Sequence, residues 1–116
     1  MKEEYINAKH IAKKLKPGET IIIVTNDEND GTFRILRGLK KGYYSIEGIT
    51  KEQLKSLYNV LKTEKDTAIW LEDIDFDGVM IERTDDLNIT IKINTKSITF
   101  TPIEIKTLFK LLKQKI

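Results

Sequence analysis

A thirteen-residue pattern occurs twice in this chain, from Thr50 to Lys62 and from Thr101 to Lys113, each time directly after a β-prone run. At the offset of 51 the two segments share Thr50/Thr101, Lys55/Lys106, Leu57/Leu108, Leu61/Leu112 and Lys62/Lys113. Gln53/Glu104, Leu54/Ile105, Ser56/Thr107, Tyr58/Phe109 and Val60/Leu111 differ conservatively. Such agreement points to an internal duplication, and it narrows the fold to two strand-rich units, each closed by a helix and related by pseudo-twofold symmetry. Upstream, residues 20–31 lie against 67–78 at an offset of 47, so each copy is expected to open with a hairpin.

Both helices carry a capping box, Thr50-x-x-Gln53 and Thr101-x-x-Glu104, in which the threonine oxygen accepts from a first-turn amide and the third-position side chain reaches back. Ile49 and Phe100 precede the caps and can staple onto Leu54 and Ile105, and Pro102 takes the first helical position, where its missing N–H costs little. The stripes Leu54, Leu57, Tyr58, Leu61 and Ile105, Leu108, Phe109, Leu112 each occupy one helix face. Strands are expected at about 20–25, 32–37 and 42–46 in the first copy, and at 67–73, 79–84, 87–93 and 97–100 in the second, leaving the first copy one strand short. Ile89, Ile91 and Ile93 alternate with Thr90 and Lys92, which implies one dry face and one wet one. Ahead of both copies, Tyr5, Ala8, Ile11, Ala12 and Leu15 recur at helical spacing and Pro17-Gly18 ends the run; Lys9, Lys13, Lys14 and Lys16 fit the solvated back of that helix.

The fold class expected is therefore α+β: two strand-rich repeats each ending in a helix, pseudo-twofold, with an extra N-terminal helix. One domain should span 1–116, with that helix at 2–16, repeat one at 19–63 and repeat two at 66–116, joined by a short polar stretch at 63–66. At 116 residues and 40% hydrophobic content the chain can bury one core. No cysteine is present for disulfides or thiolate metal sites, and no apolar run resembles a signal or a membrane span, so a cytoplasmic location without membrane contact is expected. The net charge of +2 does not by itself imply nucleic acid, but residues 1–62 carry 12 basic against 8 acidic groups, whereas 63–116 carry 8 against 10.

The segment Lys96 to Ile105 resembles the last-strand-to-helix junction of the positive cofactor four family, single-stranded-DNA-binding coactivators built of four strands and a helix. The matching features are basic Lys96, the strand Ile98 to Phe100, capping Thr101, Glu104 and apolar Ile105. Residues 45–54 resemble it less, lacking the basic residue. The related Whirly proteins hold two such units in one chain. The resemblance implies binding of single-stranded nucleic acid without catalysis, in a transcription or replication accessory role.

Single-strand binding needs cations along the phosphates and flat rings under the bases. Arg34, Arg37, Lys40, Lys41, Tyr43 and Tyr44 cluster on and after the second strand, and Trp70, Arg83, Lys92 and Lys96 could serve the second copy. Phosphate contacts are assigned to Arg34, Arg37, Lys40, Lys41, Arg83, Lys92 and Lys96, and base stacking to Tyr43 and Trp70. Strand alternation sets Arg34 and Arg37 on opposite faces, so these cations do not all converge. The same residues also fit a solvated sheet edge. A second reading is a protein-interaction module, a regulator or inhibitor, meeting its partner through a sheet edge or the acidic hairpin 72–77, with helix stripes that could build a homodimer.

Asp73, Asp75, Asp77 and Gly78, echoed by Asn26, Glu28, Asp30 and Gly31, space oxygens as a calcium loop does. The twelfth position is Thr84 instead of glutamate and the flanks read as strands, so a simple hairpin turn is preferred and neither metal nor cofactor is expected. The single histidine, His10, lies among lysines, and no phosphate loop or nucleophile elbow occurs, so no catalytic residues are assigned.

Overall fold

A computed structural model describes residues 14–26, 31–67, 74–76, 78–84 and 88–116, with the backbone alone at 63–67, 74–76 and 83. Three strands, β1 (Thr20–Asn26), β2 (Phe33–Leu39) and β3 (Gly42–Ile49), lead into helix α1 (Lys51–Thr67). Four more, β4 (Ile74–Phe76), β5 (Val79–Arg83), β6 (Ile89–Ile93) and β7 (Lys96–Phe100), lead into α2 (Pro102–Lys115). Each group forms its own antiparallel sheet with strands in sequence order. The fold is thus α+β, with three strands before one helix and four before the other among the described residues.

Both capping boxes form. Gln53 N–H donates to Thr50 Oγ1 at 3.1 Å and Thr50 N–H to Gln53 Oε1 at 3.0 Å. At the second junction Glu104 N–H donates to Thr101 Oγ1 at 3.2 Å and Thr101 N–H to Glu104 Oε1 at 2.8 Å. Each reciprocal pair satisfies two amides that a helix start otherwise leaves orphaned.

One expectation is corrected, a second is corrected at its first residue, and a third lies mostly outside the described residues. Residues 63–66, read as a joining stretch, are helical, because Glu64 and Lys65 are good helix formers and no Gly or Pro interrupts them. Of the strand expected at 67–73, Thr67 instead closes α1 and 68–73 lie outside the described residues; the next strand described is β4 at Ile74–Phe76. The offset of 47 accordingly sets the start of β1 against the end of a helix. Of the N-terminal helix, residues 2–13 lie outside the described residues; Lys14 is helical, and the chain turns at Pro17-Gly18, where Gly18 has φ +88° and Glu19 N–H donates to Lys16 O at 3.0 Å.

Strand alternation decides what is inside. Ile22, Val24, Phe33, Ile35, Ile46 and Ile49 from the first sheet meet Val79, Ile81, Ile91, Ile93, Ile98 and Phe100 from the second in one core, with Leu54, Leu57, Leu61, Leu108 and Leu112 from the helices. Burial of each such side chain contributes about 1.5–3 kcal/mol. A one-residue bulge in β3, with Phe33 opposite Ile49 but Ile35 opposite Ile46, keeps both isoleucines inward; Gly48, at φ +68°, has the left-handed backbone such a bulge needs.

The helices pack across the halves. Helix α2, which ends the chain, lies against β1, which begins the described sheet, while α1 contacts β5 of the second sheet. The two helices also touch each other, with the rings of Tyr58 and Phe109 stacked at 5.0 Å and 8° between planes, and β3 lies beside β7.

Candidate nucleic-acid interface

The tightest cluster of the expected site residues is the hairpin joining β2 to β3. Leu39 pairs with Gly42, so Lys40 and Lys41 form the two-residue tip, and both are exposed. Tyr43 follows opposite Gly38, and Tyr44 opposite Arg37. The two tyrosines, 38% and 55% exposed, are the only large aromatic side chains open to solvent among the described residues. Phe33 and Phe100 are in the core, and Tyr58 and Phe109 are partly buried against it. Tyr44, half open beside the lysines, belongs to this cluster although stacking was assigned only to Tyr43; its place in a strand directly after a turn is the signal that marks it.

Arg37 takes a different direction from the tip. It shares the core-facing side of β2 with Phe33 and Ile35, and its Nε donates to both carboxylate oxygens of Glu104, at 3.1 and 2.9 Å. This pair ties the first sheet to the first turn of α2 and is largely withdrawn from water, at 19% side-chain exposure for Arg37 and 7% for Glu104. Burial pushes the Glu104 carboxyl up, but the amide of Thr101, the hydroxyl of Thr20 and the Arg37 guanidinium together hold it below its ordinary value. A phosphate at Arg37 would share the guanidinium with a carboxylate already in place.

Arg34 lies on the opposite face, in register with Thr25, with Nε 3.7 Å from Glu47 Oε1. On that face Thr25 and Leu36 are 2% and 1% exposed, so its centre is closed to solvent and the open part is the hairpin end. Lys92 projects from the outer face of the second sheet, whose neighbours are Met80, Glu82, Thr90, Ser97 and Thr99 and include no ring among the described side chains. Lys96 is exposed on the other side, opposite Ile93 at the end of β7. Arg83 stands in β5 opposite Ile89, and Trp70 lies outside the described residues. The structure therefore brings together Lys40, Lys41 and Tyr43 and distributes Arg34, Arg37, Lys92 and Lys96 over four other places.

Sequence reasoning missed Asn94. It occupies the two-residue turn between β6 and β7 with φ +60°, a conformation Asn tolerates better than most residues. Its amide donates to Gly78 O at 3.4 Å, its Oδ1 accepts from Gln53 Nε2 at 3.3 Å and its Nδ2 donates to Gly48 O at 3.4 Å. From its turn in the second sheet this residue thus links, through its side chain, the start of α1 and the β3 bulge, while its backbone N–H bonds to the turn before β5. The Asn-Thr step between alternating runs is the turn signal that could have drawn attention to it.

Asp73 and Asp77 lie outside the described residues, and among the described residues no group of acidic or histidine side chains is placed to hold a metal ion. Phe76 pairs with Val79, leaving two residues between β4 and β5, and Gly78 has φ +77°. A hairpin is what the Asp-Gly step called for. Among the described residues no helix is long and apolar enough to cross a membrane. Compared with protein-family models, curated proteins and solved structures, the chain matches none.

Proposed function

We propose that the protein binds single-stranded nucleic acid without catalysing a reaction on it, as an accessory factor, and that its first contact is the β2–β3 hairpin. The observation that carries this reading is the proximity, on one two-residue turn and its flank, of exposed Lys40 and Lys41 to the exposed side chains of Tyr43 and Tyr44, one on each face of β3. Lysines follow phosphates as point charges, and each stacked base is worth about 1–3 kcal/mol when its ring is removed. Lys92 would extend the track along the outer face of the second sheet, Lys96 and Arg83 would serve the second half, and Trp70 would be its stacking ring, whereas Arg34 lies beyond the closed centre of its own face. The same reading holds the two halves to be copies of one ancestral unit. In support, each helix crosses to the other half's sheet, and each third-position side chain reaches a residue of that other half, Gln53 the turn residue Asn94 and Glu104 the strand residue Arg37.

The test is fluorescence anisotropy of a labelled oligothymidine at two salt concentrations. Affinity should fall with salt with a slope of about −0.7 per phosphate neutralised. Lys40→Gln/Lys41→Gln should lower that slope, and Tyr43→Ala/Tyr44→Ala should weaken binding at both salts. Absence of binding at low salt would end the proposal.

A second reading, a protein-interaction module acting through a sheet edge, is favoured by the near-neutral charge and by β1 and β4, each the outer strand of its sheet. Retention of one protein from the native host by a chain indifferent to oligonucleotides would support it instead.

A further inference from the structure

Away from the hairpin, the helices enclose a groove of about 500 Å³ lined by Leu61 of α1 and by Ile105, Lys106, Phe109, Lys110 and Lys113 of α2. Its volume is within the ~300–1,000 Å³ typical of built ligand sites. The lining divides by chemistry. Leu61, Ile105 and Phe109 supply an apolar floor, while Lys106, Lys110 and Lys113, spaced four and three apart, form one cationic row along the exposed side of α2. None of the three lysines is paired with an acid among the described residues.

We infer that this groove docks a short acidic, amphipathic segment of a partner protein, its large apolar side chains on Leu61, Ile105 and Phe109 and its carboxylates on Lys106, Lys110 and Lys113. The charge pattern chooses the occupant. A second copy docked by twofold symmetry would bring the same lysine row toward itself, and like charges facing each other cost affinity. Single-stranded nucleic acid has the right charge but asks for open ring faces, and one face of Phe109, the only aromatic lining the groove among the described residues, is already covered by Tyr58. An amphipathic segment with acids and large apolar residues at helical spacing answers both parts of the lining, in the manner of a helix laid in a groove. From Lys106 to Lys113 the row rises about 10 Å, two helical turns of partner.

The inference stands apart from the hairpin reading, and one set of titrations separates them. The whole chain is titrated into a fluorescein-labelled peptide of about 16 residues with Glu and Leu at helical spacing, into the same peptide with Gln for Glu, and into labelled oligothymidine. Saturable binding of the acidic peptide is expected, weaker by about tenfold or more for the Gln peptide and for Lys106→Glu/Lys110→Glu, with oligothymidine affinity unchanged by that variant. Both lysines are exposed, so the variant should fold; Lys106→Gln/Lys110→Gln is the milder substitute, read in the same direction. The inference is overturned if the acidic peptide fails to bind, if the Gln peptide binds equally well, or if the variant loses oligothymidine instead, which would assign the groove to nucleic acid.

Discussion

At Thr50 and at Thr101 a strand turns into a helix through the same capping box, yet the third-position side chain goes on to a different partner in each case. Gln53 reaches Asn94 through a neutral amide bond of 3.3 Å in an exposed setting. Glu104 reaches Arg37 through two charge-assisted bonds, with its own side chain 7% exposed. Charge-assisted bonds are roughly twice as strong as neutral ones, and losing one partner of a buried pair leaves the other as an uncompensated charge. Identical local geometry can thus sit under long-range ties of very different consequence, and the tie between first sheet and last helix should be the more sensitive to substitution and to acid.

Five substitutions followed by urea unfolding would sharpen or break this comparison. The largest effect is expected for Glu104→Ala, which removes a cap and strands Arg37, at about 3 kcal/mol. Glu104→Gln retains an acceptor for the Thr101 amide and should cost about 2 kcal/mol. Its difference from the parent should itself depend on pH. The folded-state pKa of Glu104 lies below its unfolded value, so the pair's contribution is complete above about pH 4.5 and fades as pH falls through the folded value. A difference that grows on acidification would contradict that sign. Asn94→Ala should cost about 1–2 kcal/mol, from the left-handed backbone and two side-chain bonds, and Asn94→Gly less, because glycine keeps the backbone. Gln53→Ala should cost about 1 kcal/mol or less. Double-mutant cycles then decide the matter: a Gln53–Asn94 coupling as large as the Arg37–Glu104 coupling would erase the distinction.

Local chemistry was readable in the chain, and long-range pairing was not. Thr50, Gln53, Thr101 and Glu104 announce their helix starts because the capping box is contained within four residues. The alternation of Ile89, Ile91 and Ile93 announces which face is dry, and the outcome follows it. The extension of α1 through 63–66 was missed because a polar run reads equally well as loop when nothing nearby says what it packs on. Arg37 and Glu104 were each singled out, one as a phosphate ligand and the other as a cap, but their union depends on α2 crossing to the first sheet, which no local pattern encodes. The helix groove escaped for the same reason, since Leu61 and Phe109 belong to different halves. Among the site residues, alternation separated Arg34 from Arg37 as expected, and what remained hidden was that Thr25 and Leu36 close the middle of the sheet face.

The reach of α2 back to β1 also sets an order of events at the ribosome. Ile22 and Val24 are made well before the helix that lies against their strand, which starts at Pro102. At about 5–20 residues per second, the roughly 80 intervening residues keep that apolar surface waiting for several seconds. Nascent chains stalled before Pro102 should therefore be held by chaperones, and released once α2 has left the ribosome.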